Sequence, residues 1–263
     1  MTLSAPAVAA LWKREIIKFV RDRSRLIGAL AQPLGFWLLL GLGFQRTFQM
    51  PVATATEVGY MEFLFPGIIA LILLFTAIFS TISTVEERKS GFLQAALVAP
   101  TSRTALVLGN TLGGTTLAVV QAALFLLLLP LIGLPFHLVG LLLVLLTSLL
   151  TGLAFTALGV LIAWRMETTR GFHAIMNLVL LPMWFLSGSF FPAEGAAPLL
   201  RWAMYLNPVT YAVSALRQAL YWPAEAPVAV APLWVCLLVS AAFAVVMLAL
   251  AVATVRRPLF GAR

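Results

Sequence analysis

Six long stretches of this chain contain no Asp, Glu, Lys or Arg. They are residues 26–44, 63–85, 106–129, 138–163, 172–190 and 228–255. A helix needs about 20 apolar residues to cross the hydrocarbon core of a bilayer, where only helices and closed barrels satisfy their backbone amides. Charged residues make up 10% of the chain, against about a quarter in soluble domains. We therefore predict one all-α integral membrane domain, residues 1–263, with six transmembrane helices.

The positive charge of the chain predicts its topology. The net charge is +8, and with a cytoplasmic N-terminus 14 of the 17 Lys and Arg residues fall inside, leaving Arg46, Arg201 and Arg217 outside. The positive-inside rule then places both termini on the cytoplasmic side of the cytoplasmic membrane. The basic residues are divided among short loops without an aromatic stacking platform, so no nucleic-acid partner is expected.

The segment before the first span, residues 6–25, has the pattern of an amphipathic helix. One side carries the apolar residues and the opposite side the basic ones. The apolar set is Val8, Leu11, Trp12, Ile16, Phe19 and Val20, and the basic set is Arg14, Lys18 and Arg21. This pattern is typical of a helix lying on the cytoplasmic membrane surface. Anchoring to anionic lipid and contact with a cytoplasmic partner both remain open.

The cytoplasmic segment between the second and third spans contains a short predicted helix. Charged residues open the segment, Gly91 breaks it, and residues 92–98 can form about two turns before Pro100. Phe92, Leu93 and Leu97 share its apolar face. Such a face could enter a groove on another protein, and the alternative is an interfacial loop resting on lipid.

The segment after the fifth span, residues 191–222, is too apolar for a loop and too often interrupted by proline for a span. Two short helices fit it: one starts near Pro198, and the other has Asn207 as its cap and Pro208 as its first residue. On the outer side they would be re-entrant half-helices that form a lid. An aromatic interface belt of Trp202, Tyr205, Tyr211 and Trp222 is the alternative.

The spans offer little chemistry. Their polar side chains are mostly neutral and are expected to form interhelical hydrogen bonds, with Gly109 and Gly113 permitting close helix approach. His137 and His173 lie on opposite sides and Cys236 is the single cysteine, so neither a metal site nor catalytic residues are predicted. None of the lysines is preceded by the glycine of a GxxxxGK[ST] phosphate-binding loop. The chain is therefore not expected to bind ATP itself, and a partner subunit would have to bind and hydrolyse it.

Three groups of residues carry a family resemblance. They are Phe65-Pro66-Gly67-Ile68, the segment from Glu86 through Gly91 to Pro100, and the series from Phe185-Leu186-Ser187-Gly188 through Leu206-Asn207-Pro208-Val209-Thr210-Tyr211 to Ala215-Leu216-Arg217. In this order, with six spans and cytoplasmic ends, the chain resembles the type-2 (ABC-2) export permeases of bacterial ATP-binding-cassette transporters. The resemblance covers nearly the whole chain.

The resemblance implies that two permease copies pair above two separate ATPase subunits, which bind ATP and Mg. Residues 92–97 would be the coupling helix seated in an ATPase cleft, and Glu86 and Glu87 would transmit closure. The implied coupling residues are Glu86, Glu87, Arg88, Gly91, Phe92, Leu93, Leu97 and Pro100. The interface helix, with Trp12, Arg14 and Lys18, would make a second contact.

The resemblance also implies a substrate path between the two permeases, lined by spans one, two and five. Candidate path or gate residues are Gln32, Trp37, Phe75, Asn177, Trp184, Phe185, Phe190, Phe191, Asn207 and Tyr211. The neutral, apolar path favours an amphipathic, lipid-like or drug-like cargo. The aromatic residues leave a lipid-linked glycan as the alternative cargo. The other hypotheses are a gradient-driven channel or secondary carrier, a lipid-acting enzyme using His173 or Glu167, and a scaffold.

Overall fold

The described part of the chain is helical throughout. A computed structural model describes residues 5–21, 23–44, 59–89, 102–134 and 137–256. Within these ranges the α-helices are α1 (Ala5–Arg21), α2 (Arg23–Phe44), α3 (Tyr60–Ser80), α4 (Ile82–Lys89), α5 (Arg103–Leu126), α6 (Leu138–Ala163), α7 (Thr169–Trp184), α8 (Pro198–Leu206), α9 (Pro208–Tyr221) and α10 (Leu233–Arg256). A π-helical turn, Phe185–Ser189, follows α7, and short 3-10 turns lie at Leu129–Ile132 and Ala193–Gly195.

Five of the predicted spans are helices that are long and apolar enough to cross a membrane. They are Tyr60–Arg88, Arg103–Leu126, Leu138–Ala163, Thr169–Ser189 and Leu233–Arg256. The first predicted span, residues 26–44, lies within α2 (Arg23–Phe44) and is not among these five, and the shorter apolar helix found there is Leu30–Phe44. The count of six spans therefore stays a prediction.

Several boundaries differ from the predicted ones for local reasons. The residues of the predicted interface helix, 6–25, are helical on both sides of residue 22, in α1 up to Arg21 and in α2 from Arg23. The last span begins at Leu233 and not at residue 228, because Pro232 precedes it and its carbonyl oxygen accepts from the amide of Val235 at 3.0 Å. In contrast, α6 occupies the predicted residues 138–163, and α8 and α9 begin at the predicted Pro198 and Pro208.

Helix α3 lies at the centre of the bundle. Nearly all of its side chains are buried, and it packs against α2, α5, α6, α7 and α9. Helix α10 packs on α6 and α9 and leaves much of its surface exposed. A central apolar helix that is covered on all sides can carry a displacement along its length, because packed interiors have low compressibility.

The expectation that the polar residues of the spans mostly bond between helices is wrong for three threonines. The hydroxyls of Thr115, Thr147 and Thr156 each donate to the carbonyl oxygen four residues earlier in the same helix, at 2.7–2.8 Å. This bond satisfies the hydroxyl without a neighbouring helix. Hydrogen bonds between helices do join Thr76 to Gln121 and Asn110 to Thr84.

Candidate functional site

The interface helix α1 is packed against protein along α5. An ideal Cβ built on Gly109 would lie 2.5 Å from Cβ of Leu11, and one on Gly113 would lie 2.7 Å from Cβ of Glu15. Trp12 donates from Nε1 to Oγ1 of Thr116 at 3.0 Å. The two glycines thus form a groove for α1, which the small-residue spacing indicated without identifying the helix that fills it.

Four side chains at the junction of α1 and α4 form a charge cluster: Arg14, Glu15, Lys18 and Glu87. Arg14 Nη2 lies 2.8 Å from Oε1 of Glu87 and 2.7 Å from Oε1 of Glu15. Lys18 forms an ion pair with Glu87 as well. Glu15 and Glu87 are buried, so loss of their cationic partners would leave a buried charge uncompensated.

The charge cluster shows which part of the protein the basic side of α1 meets. The sequence analysis placed Arg14 and Lys18 on that side, and in the structure both form ion pairs with Glu87. Glu15 is only 6% exposed and faces the bundle, where its Oε2 accepts from Oγ of Ser83 at 3.2 Å. The apolar side is only partly covered, since Trp12 and Val20 remain exposed.

Three consecutive coupling candidates at the end of α4 have different surroundings. Glu86 is exposed, Glu87 is buried in the charge cluster, and Arg88 reaches the C-terminal end of α6. Arg88 donates from Nη1 to the carbonyl oxygen of Met166 at 3.1 Å and from Nη2 to that of Trp164. Carbonyl groups at a helix C-terminus lack helical partners and carry partial negative charge, so a guanidinium binds well there.

The end of α4 is therefore held twice, to α1 through Glu87 and to the end of α6 through Arg88. Residues 90–101 follow this point in the sequence. The remaining coupling candidates, Gly91, Phe92, Leu93, Leu97 and Pro100, lie outside the described residues.

At its other end the bundle contains an opened helix turn after α7. Gly188 has a φ of +78° and Leu186 is also non-helical; glycine adopts such a positive φ at no steric cost. Opening the turn leaves backbone carbonyls without helical partners, which is costly away from water.

Side chains of α9 and its cap bind these carbonyls. Asn207 donates from Nδ2 to the carbonyl oxygens of Met183, at 2.6 Å, and Leu186, at 3.1 Å. Its Oδ1 caps α9 by accepting from the amide of Val209 at 3.0 Å. Arg217 donates from Nη2 to the carbonyl oxygen of Gly188 at 3.0 Å. We call Trp184, residues 185–189, Asn207 and Arg217 the turn cluster.

The turn cluster also contacts α3 at the Phe65-Pro66-Gly67 motif. Trp184 donates from Nε1 to the carbonyl oxygen of Gly67 at 2.7 Å. An ideal Cβ on Gly67 would lie 2.6 Å from Cβ of Ser189, so only glycine allows this approach. Arg217 adds a contact with its Cζ 4.4 Å from the ring centroid of Phe63. Two motifs that are separated in the sequence thus form one contact.

Arg217 is the residue whose role the sequence analysis missed. It was counted among the outer basic residues and is in fact 3% exposed. Burial lowers its pKa to about 10, so it remains a cation at neutral pH. The signal that could have revealed it is an arginine in the middle of an otherwise apolar helix, since a buried charge needs partners.

The candidate path residues do not form one site. Gln32 and Phe75 line a cavity of about 200 Å³ between α1, α2 and α3. Trp37 is 3% exposed and packs on Phe65 and Phe125, so it belongs to the interior of the chain.

The other path candidates lie on or near α7 and the turn cluster. Asn177, Phe185 and Phe191 are exposed, and the rings of Phe185 and Phe190 are stacked with centroids 4.6 Å apart. Tyr211 donates its hydroxyl to the carbonyl oxygen of Tyr205 at 3.0 Å. Trp184 and Asn207 are buried in the turn cluster.

The five apolar helices of spanning length in the described part of the chain define a polytopic helical membrane protein. The family model of the ABC-2 type transporter matches residues 6–221, and the chain belongs to this family. It is therefore a membrane subunit of an ABC-2 type transporter. Both tethers of α4 and the whole turn cluster lie within the matched range.

The chain is similar to proteins named as transport permeases and to a nodulation protein. The chain is 27% identical over 212 residues to the ycf38 transport permease of Cyanophora paradoxa, covering 79% of this chain and 71% of that one. It is 24% identical over 212 residues to the inner membrane transport permease YadH of Escherichia coli K12, covering 80% and 81%. It is 29% identical over 219 residues to Nodulation protein J of Rhizobium leguminosarum bv. trifolii, covering 79% of each.

The family match and the apolar helices together show a multi-pass membrane permease of the ABC-2 type. The name permease describes transport and not catalysis, which agrees with the expectation of a non-enzyme. The family match also agrees with the resemblance carried by the three sequence motifs.

Proposed function

We propose that this chain is the transmembrane subunit of an ATP-driven exporter. It would work as a pair with a second copy, with both termini cytoplasmic, above a separate ATPase subunit that binds ATP and Mg. The cargo would be an amphipathic, lipid-like or drug-like molecule moved out across the cytoplasmic membrane. The observation that supports this proposal best is the double tether at the end of α4, directly before residues 90–101.

Through the contacts of Glu87 and Arg88, a movement of a partner subunit would be transmitted to helices inside the bundle. A partner that displaces residues 90–101 would pull on Glu87 and Arg88, and so on α1 and the end of α6. The same pull acts on α3, because α4 continues from it after a single turn residue, Thr81. A rigid element that has two arrangements can be biased by nucleotide state in this way.

Helix α3 extends this route to the turn cluster. Its other end carries the carbonyls of Phe63 and Gly67, which Arg217 and Trp184 bind. Movement of α3 therefore changes the support of the opened turn and of the half-helices α8 and α9. We propose that the turn cluster is the outer gate and that these half-helices face outward.

The exposed faces of α2 and α7 support an uncharged cargo. Gln32 and Asn177 are exposed there, together with the ring of Phe185. Neutral polar groups beside apolar surface suit an amphiphile, whereas a charged cargo would lose hydration without gaining an ionic partner. The aromatic side chains keep a lipid-linked glycan as the alternative cargo.

The test uses the purified chain and a candidate cassette ATPase subunit, reconstituted together in proteoliposomes. We expect Phe92→Asp and Leu97→Arg to abolish ATPase binding and ATP-driven transport while the midpoint of thermal unfolding stays unchanged. Phe92→Leu is the matched control, since it keeps an apolar side chain at that position. Full ATP-driven transport by both charged variants would overturn the proposal, as would gradient-driven flux through the chain alone.

A further inference from the structure

The cavity between α1, α2 and α3 is the feature that the proposed mechanism leaves unused. Its volume is about 200 Å³, and its lining is Phe19, Gly28, Gln32, Pro33, Leu71, Phe75, Thr76, Phe79 and Ser80. We propose that this cavity binds the ring-sized apolar part of a neutral amphiphile dissolved in the membrane. That this amphiphile is the cargo rests on the proposed function, whereas the binding site itself does not.

The size and walls of the cavity fit one ring. An apolar cavity of about 150 Å³ is large enough to bind benzene, so about 200 Å³ accommodates a substituted ring. Three phenylalanine side chains, Phe19, Phe75 and Phe79, form part of the wall. The rings of Phe75 and Phe79 are tilted at 47° with centroids 5.5 Å apart, an arrangement that offers both ring edges and ring faces to a third ring.

The polar groups of the lining select a neutral ligand. Ser80 donates its hydroxyl hydrogen to the carbonyl oxygen of Ala77 at 2.7 Å, and Thr76 donates to Oε1 of Gln121. Both hydroxyl oxygens are thus left as acceptors, and the carboxamide of Gln32 lies on the exposed side. A ligand hydroxyl or amide fits these groups. The lining residues that the structure describes carry no charge, so an ionised ligand would be desolvated without compensation.

The position of the cavity gives access from the membrane. Gly28 and Gln32 lie one helical turn apart on the exposed side of α2, so the cavity opens beside α2. Its inner wall is α3, and Phe19 of α1 closes another side. Helix α1 also carries Arg14 and Lys18 of the charge cluster, so a ligand here contacts the helix that is tied to the end of α4.

Photolabelling of the chain alone in liposomes tests the site. The probe is 3-(trifluoromethyl)-3-(m-iodophenyl)diazirine, a neutral ring-sized carbene precursor that dissolves in bilayers, and labelled peptides are measured by mass spectrometry. Leu71, Thr76 and Ser80 are buried in the bundle, so label on these three residues within the range 71–80 has to enter through the cavity. We expect strong label there, and label on the exposed face of α10 serves as the internal standard.

Two glycines of α2 provide a matched pair of variants. An ideal Cβ on Gly28 or on Gly35 meets no atom within 4 Å, and only Gly28 lines the cavity. Gly28→Leu should fill the cavity and reduce label on residues 71–80 at least fivefold relative to α10, whereas Gly35→Leu should leave it unchanged. Equal labelling of these residues in both variants, or none in the unmodified chain, would overturn the proposal.

A second measurement separates the site from its role. In the complex with the ATPase, Gly28→Leu should lower ATP-driven transport at least fivefold while the thermal midpoint stays within the range of Gly35→Leu. Unchanged transport beside lost labelling would overturn the assignment of the ligand as cargo and leave the binding site standing. Loss of ATPase coupling in Phe92→Asp tests the proposed function and is independent of both results.

Discussion

Arg14 Nη2 lies 2.8 Å from Oε1 of Glu87, an ion pair that joins the helix before the first predicted span to the end of the second. Glu87 is buried and also pairs with Lys18, whereas the adjacent Glu86 is exposed. A coupling role for Glu87 therefore acts through α1 and not through direct contact with a partner subunit alone.

Glu87→Gln should destabilise the junction of α1 and α4, with Glu86→Gln as the control next to it. We expect Glu87→Gln to cost about 1–3 kcal/mol, because a buried charge-assisted interaction is lost, and Glu86→Gln to stay within about 0.5 kcal/mol, as surface substitutions do. Thermal unfolding in detergent measures both. Similar midpoints for the two variants would show that the charge cluster does not fasten α1.

Arg217→Ala should weaken the attachment of the opened turn to α3. Its guanidinium binds the carbonyls of Gly188 and Phe63, and a hydrogen bond to a charged group contributes about 1.5–3 kcal/mol. Arg201→Ala is the control, because the exposed Arg201 also binds two backbone carbonyls, those of Ala193 and Glu194. The thermal midpoint should fall clearly further for Arg217→Ala, and an equal or smaller fall would contradict the role given to it.

Asn207→Asp separates two roles of one side chain. As an N-cap, Asp is about as good as Asn, so a residue that only caps α9 would tolerate the change. Asn207 also donates to the carbonyls of Met183 and Leu186, and a carboxylate cannot donate these bonds. We expect Asn207→Asp to be at least as damaging as Asn207→Ala in thermal unfolding and transport. A near-normal thermal midpoint and near-normal transport in Asn207→Asp would show that Asn207 acts only as the N-cap of α9.

Gly109→Leu should displace α1 from its groove on α5. The added side chain would collide with Leu11, whose Cβ lies 2.5 Å from the ideal Cβ position, and overpacking typically costs about 1–3 kcal/mol. Released from the groove, α1 should be cut faster by trypsin at Lys13, Arg14 and Lys18 in detergent. Gly35→Leu, in open space on α2, is the control and should be cut at the rate of the unmodified chain. Equal cleavage rates in the two variants would show that α1 rests on lipid and is not held by the groove on α5.

Local signals in the sequence were sufficient for most helices. The bounds of α6 and the first residues of α8 and α9 were predicted correctly, because uncharged length, a proline at the first position and an asparagine cap act within a few residues. The family resemblance rested on short motifs of the same kind. Coupling residues 90–101 stay predictions, since they lie outside the described part of the chain.

Only the tertiary structure showed what the charged and polar groups bind. Lys18 and Glu87 are 69 positions apart, and Arg217 and Phe63 are 154 apart. Helical periodicity tells which residues share a face and leaves open which other helix that face meets, so the ion pair of Arg14 with Glu87 was not predicted and Arg217 was counted with an outer segment. The physical reason is that ion pairs and buried hydrogen bonds depend on distances of a few ångströms between helices, and packing of the whole bundle determines these distances.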